Sequence, residues 1–185
     1  MLDSNGQCVI IDWGMVIRLP APEITSPNSQ SMGVPTESSV LNARPVRLCN
    51  YVGWPCKCGK TLYAAPELLG SAVELTARQP GFDPYKTDAW ACGVMLFILL
   101  TGVQPWTSTD NNVVDTRHPQ WGPSGPAFTY VRTGRLGEVL KHFERFSNFE
   151  PLPKKARAVL DALLQPDPDK RASFLEAREM PWFEE

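Results

Sequence analysis

Between Ala89 and Leu100 the chain offers almost no polar position, and AWACGVMLFILL predicts a helix buried on every side. Asp83-Pro84 reads as a turn before it, Thr87 or Asp88 as its cap, and Thr101-Gly102 as its stop. PKKARAVLDALLQ, Pro153 to Gln165, predicts an amphipathic helix with Ala156, Val159, Leu160, Leu163 and Leu164 on one face. GRLGEVLKHFERF, Gly134 to Phe146, repeats the helical period more weakly through Leu136, Val139, Leu140 and Phe143. DPDKRASFLEAREMPWF closes the chain with a turn, a short helix from about Ser173 and an aromatic anchor. At the front, the Ser4–Gly6 turn and the run Cys8–Ile11 predict a hairpin within residues 1–19.

Two stretches break these periods. From about 20 to 46, repeated prolines with Ser and Thr and few large apolar residues predict a flexible insertion with little to bury. Residues 107–127 form a second polar loop containing Gly and Pro. The pattern is therefore mainly α, with one short N-terminal β-hairpin. A chain of 185 residues with 43% apolar positions suffices to bury one core.

Charge and cysteine content narrow the function classes. A net charge of −2 predicts no nucleic-acid footprint. The longest apolar run, Ala91–Gly102, is about half the length of a membrane span, so no membrane partner is expected. An odd cysteine count of 5 and an N-terminus without signal-peptide character argue for a reduced, cytoplasmic protein. Cys49, Cys56 and Cys58 do not follow a common zinc-finger spacing, and ordinary thiols are the expected reading.

Five stretches occur in one order: IIDWG, CGKTLYAAPELL, DPYKTDAWACGVMLFILLTGVQPW, LLQPDPDKRAS and MPWF. In that order they resemble the C-terminal lobe of a eukaryotic protein kinase catalytic domain of the Ser/Thr type, across nearly the whole chain. The resemblance implies a protein-kinase-like C-lobe: residues 1–19 as a β-hairpin with a metal-binding turn, 20–67 as an activation segment, and 68–185 as helices. The activation segment then contains the long insertion at about 20–46. Its Ser26-Pro27, Thr25, Ser29, Ser31, Thr36, Ser38 and Ser39 are candidate phosphorylation sites.

The same resemblance assigns roles to single residues. Asp12 takes the place of the Mg²⁺ ligand, a hard carboxylate suited to that ion, with Gly14 allowing the tight turn behind it. Trp13 stands where the family usually has Phe. Gly59, Lys60, Thr61 and Tyr63 match the segment that receives the protein substrate, although Lys60 replaces the family's usual Thr. Glu67 and Arg171 match the family's buried ion pair, a structural role, and a planar guanidinium suits a carboxylate bidentately. Asp88 matches the aspartate that binds the catalytic loop backbone. Trp90 and Gly93 belong to the same motif, and Ala91 replaces Ser.

The implied activity is ATP-dependent transfer of the γ-phosphate to protein Ser or Thr, with ATP and Mg²⁺ as cofactors in the intact domain and a protein as substrate. No G-x-G-x-x-G and no His-Arg-Asp occurs in the 185 residues. The resemblance therefore implies that the catalytic Asp lies upstream of Met1, that no catalytic residue is present, and that the chain is a fragment inactive alone. The competing expectation is a non-catalytic, pseudokinase-like binding module. A helix apolar all round, with part of its packing encoded elsewhere, also predicts an exposed apolar patch.

Overall fold

The computed structural model describes residues 4–7, 60–69, 81–106, 127–146 and 150–184. Five α-helices stand among them: α1 Pro84–Thr101, α2 Ala127–Arg132, α3 Leu136–Phe146, α4 Lys154–Leu163 and α5 Phe174–Arg178. Two 3₁₀ turns, Thr61–Tyr63 and Pro66–Leu68, precede α1. Ser4–Gln7 form a turn with Gly6 at φ 77°, where the sequence placed one. The strands predicted beside that turn lie outside the described residues, as does the insertion at 20–46.

Helix α1 begins earlier than its apolar pattern suggests. Its N-cap is Asp83, whose carboxylate accepts from Tyr85 N at 2.9 Å, and Pro84 occupies the first turn. Proline at that position has no N–H to leave orphaned and brings a helical φ. Thr87 and Asp88, read from sequence as caps, sit inside the helix. Thr87 Oγ1 turns back to the Pro84 carbonyl at 2.8 Å. Gly102 ends the helix at φ 72°, with its N–H on the Ile98 carbonyl. That left-handed conformation favours glycine.

The core forms where α1 crosses α4 and where α2 and α3 close over its C-terminal half. Trp90, Val94 and Phe97 of α1 meet Trp106, Phe128, Val131, Leu136, Val139, Leu140, Phe143, Leu160 and Leu164 in one buried cluster. The Phe97 and Phe143 rings pack edge to face, 5.6 Å between centroids. A smaller cluster joins Ala89 to Val159, Leu163 and Ala177, bringing α5 under α4. The close approach of α1 and α4 depends on Gly93, because a Cβ there would stand 2.9 Å from Leu164 Cδ2 and Cγ.

Helix α1 is not buried on every side. Trp90 and Phe97 are fully buried, whereas Met95 is 46% and Leu99 82% exposed. These two residues lie on the face opposite the core. Helix α2 begins at residue 127, where the predicted loop ends, and the sequence predicted no element over 128–132. It has only six residues, which is too short to show a period. Among the described residues no helix is long and apolar enough to cross a membrane.

Candidate functional site

Residues 60–69 lie across the start of α1 and are fastened at two points. The first is Arg171, whose side chain is fully enclosed. Its Nη1 donates to Glu67 Oε1 at 2.7 Å and its Nη2 to Glu67 Oε2 at 2.9 Å. The remaining donors go to carbonyls: Nε to Gln165 at 2.8 Å, Nη1 to Lys86 at 2.7 Å and Nη2 to Pro166 at 3.4 Å. A guanidinium has five N–H groups, and all five have acceptors here. Full satisfaction is what makes a buried charge tolerable.

Arg171 comes to this position through the turn after α4. Asp167 opens the turn, accepting from Asp169 N at 3.1 Å and pairing with Lys170 Nζ at 3.1 Å. These contacts hold its carboxyl below the usual range, the Lys170 bond contributing most. Lys86 of α1 donates to the Arg171 carbonyl and lies 3.9 Å from Glu176. Ser173 and Glu176 then complete a reciprocal cap on α5.

The second fastening is Trp106, just past α1. Its Nε1 donates to the Leu62 carbonyl at 3.0 Å. The indole packs edge to face on Phe128 at 5.2 Å and lies 6.1 Å from the Trp90 ring. Trp90 in turn lies under the Arg171 guanidinium, 5.1 Å from ring centroid to Cζ, within cation–π range. A closed circuit results: Glu67 to Arg171, Arg171 to Trp90, Trp90 to Trp106, and Trp106 back to Leu62. Ala65, between the two fastenings, is fully buried. Trp90 Nε1, also buried, has no acceptor among the described residues.

This geometry leaves the head of the segment facing outward. Lys60 is exposed, and its carbonyl accepts the Tyr63 N–H at 2.9 Å, which fixes the backbone into a 3₁₀ turn. Leu62 and Tyr63 pack partly buried against the core. The result is a short segment anchored at Leu62 and Glu67, with Lys60 at its head exposed.

Of the residues singled out from sequence, the structure brings Glu67, Arg171 and Trp90 together, with Lys60, Thr61 and Tyr63 on the same segment. Asp88 stands apart in the body of α1, where it is exposed. Partial burial of its carboxyl nonetheless raises its pKa above the ordinary value. Asp12, Gly14 and Gly59 lie outside the described residues, as do Cys49, Cys56 and Cys58. Trp106 and Lys86 were not singled out from sequence. The available signal for Trp106 was its place in QPW directly after the helix stop. Among the described residues no three acidic, His or Cys side chains approach as a metal site would require.

Comparison with known proteins gives a consistent result. The family profile described as the protein kinase domain matches residues 1–183. The chain is 32% identical to fatty acyl-CoA synthetase and RNA processing-associated kinase 1 of Saccharomyces cerevisiae, over 68% of its own length and 12% of that protein. It is 35% identical to CBL-interacting protein kinase 25 of Oryza sativa subsp. japonica, covering 68% of the chain and 18% of the relative. With CBL-interacting serine/threonine-protein kinase 16 of Arabidopsis thaliana it shares 30%, over 69% of the chain and 20% of the relative. The chain thus spans a fifth or less of the length of each of these relatives.

Proposed function

The chain belongs to the protein kinase family, and from that premise we propose that it serves ATP-dependent phosphorylation of serine or threonine in a protein substrate. Residues 60–69 receive the substrate. The observation that carries this reading is the double fastening of Glu67 by Arg171 and of Leu62 by Trp106. A segment that must present a flexible peptide to a reaction gains from being ordered in advance, because less entropy is then lost on binding. Gly59, Lys60, Thr61 and Tyr63 form the receiving part in this reading, and Glu67, Arg171, Trp90 and Trp106 form its support.

Asp12 is assigned as the Mg²⁺ ligand, with Gly14 beside it, from their place in IIDWG. Bound Mg²⁺ would neutralise charge on the phosphates of ATP. The 185 residues contain neither a glycine-rich phosphate loop nor a His-Arg-Asp sequence, so this chain by itself is assigned no phosphotransfer and is read as a fragment of the catalytic domain. A cytoplasmic location accords with that role.

Cross-linking tests the reading. A lysine-directed photoreactive linker on the exposed Lys60 is irradiated with a pooled library of serine- and threonine-containing peptides. Cross-linked peptide is expected at residue 60 with the wild-type chain and is lost with Trp106→Phe. No peptide capture at residue 60 above that at exposed Lys155 would overturn it.

A further inference from the structure

The turn between α2 and α3 carries an exposed hydroxyl beside a guanidinium that is already fixed. Thr133 is exposed and is followed by Gly134 at φ 76°, so the turn projects from the surface. Thr133 Oγ1 has the carbonyls of Thr129 and Tyr130 at 2.9 and 3.0 Å, and it accepts from Arg135 Nε at 3.1 Å. Arg135 is held in turn: its Cζ lies 4.4 Å above the Tyr130 ring centroid, and its Nη1 lies 3.9 Å from Glu138. Exposed Arg132 immediately precedes the threonine. A cation held by an aromatic face and aimed at a hydroxyl is most of what a phosphate receptor requires.

We propose that Thr133 is a phosphoacceptor site for a protein kinase acting in trans, and that Arg135 holds the phosphate once it is formed. In the modifying step Thr133 Oγ1 bonds to the γ-phosphorus of a nucleoside triphosphate. The bond from that phosphorus to the bridging oxygen breaks, the nucleoside diphosphate leaves, and the hydroxyl proton passes to the modifying kinase. The product carries about −1.5 to −2 charge, and its ester oxygen has no proton to donate. The carbonyls of Thr129 and Tyr130 therefore lose their hydroxyl partner and face an anion. The phosphate turns away from them toward Arg135, which a short movement brings into a charge-assisted contact. The cost falls on the last turn of α2, held by the Thr133 N–H on Thr129 and the Gly134 N–H on Val131. This inference rests on the α2–α3 turn and is independent of the role given to residues 60–69.

The test uses the full chain with phosphothreonine installed at 133 during synthesis. Phosphorus NMR titration is expected to give a lower second ionisation for the phosphate in the wild-type background than with Arg135→Gln. Amide exchange at Thr133 and Gly134 is expected to quicken roughly 2- to 12-fold on phosphorylation, the range one net hydrogen bond supports. Chain recovered from eukaryotic cells under phosphatase inhibition is expected to carry phosphate at Thr133, absent in Thr133→Val. Equal ionisation in the two backgrounds would overturn the role of Arg135. Recovery of Thr133 in unmodified form alone would overturn the site.

Discussion

Glu67 and Arg171, 104 residues apart in sequence, meet through two parallel hydrogen bonds of 2.7 and 2.9 Å. Arg171 is completely enclosed and Glu67 keeps 10% of its side-chain surface. The contact joins the segment before α1 to the turn after α4, so it ties the two ends of the helical layer. Because Arg171 Nη1 also donates to the Lys86 carbonyl of α1, the pair fixes how residues 60–69 lie on that helix.

Truncating one partner strands the other. Arg171→Ala leaves a buried carboxylate and several carbonyls without donors, and the expected loss is about 3–5 kcal/mol. Arg171→Lys keeps the charge but not the planar fork, and it is expected to recover only a minor part of the loss. Urea denaturation of the three chains reads the order directly. An unchanged midpoint for Arg171→Ala would contradict the assignment.

Helix packing at Gly93 is equally specific. A methyl group there meets Leu164 side-chain carbons at 2.9 Å and Leu163 Cβ at 3.0 Å. Gly93→Ala gains helix propensity, yet overpacking of this kind costs about 1–3 kcal/mol and is expected to win. A melting point at or above that of the wild type would show that α1 and α4 are farther apart.

Two carboxylates respond to pH in opposite directions. Burial raises the pKa of Asp88, so the folded state holds its proton more tightly than the unfolded chain does. Stability from this group is present in acid and lost as pH rises through the raised value. Asp88→Asn is expected to raise the melting point at pH 7 and to leave it unchanged below about pH 3.5. Glu176 shows the reverse, since hydrogen bonds from the Ser173 backbone and side chain lower its pKa. Its stabilisation is full above the ordinary carboxylate range and is lost as pH falls through the lowered value. Glu176→Gln is expected to lower the melting point at pH 7, with the difference closing in strong acid.

Phe97 and Leu99 belong to one apolar run and have opposite environments, buried and 82% exposed. Phe97→Ala is expected to cost about 3–5 kcal/mol. Leu99→Ala is expected to stay within about 0.5 kcal/mol of wild type. Equal losses at both positions would mean that the exposed face of α1 is covered in the folded chain.

That pair also shows what the sequence could and could not reveal. Hydropathy located α1 and its stop at Gly102, because a long apolar run ending in glycine has few alternatives. It could not say which faces of α1 are covered, since that depends on where distant helices lie. The start was misplaced for a local reason: Asp83-Pro84 suits a turn and a helix N-terminus equally, and α1 uses it as the latter. Helices α3 and α4 were legible from periodicity, and α5 as a short helix starting near Ser173, to which the structure adds the reciprocal Ser173–Glu176 cap. Helix α2 was not, being a single short run whose burial comes from contacts with Trp106 and α3.

At the site, the Glu67–Arg171 pair was implied by the resemblance to the kinase family, and the structure adds the carbonyls that complete the guanidinium. The Trp106–Leu62 bond was not legible, because nothing in a single sequence pairs an indole with a backbone carbonyl. Asp88 was read as a possible cap on the strength of its residue type. The structure places that role on Asp83 and leaves Asp88 exposed within the helix.

Residue-resolved hydrogen exchange across residues 60–69, with and without serine-containing peptide, tests the substrate role of this segment most directly. Added peptide is expected to slow exchange at Leu62 and Tyr63 in the wild-type chain, with that protection reduced in Trp106→Phe. Protection elsewhere in the chain, with residues 60–69 unchanged, would contradict it.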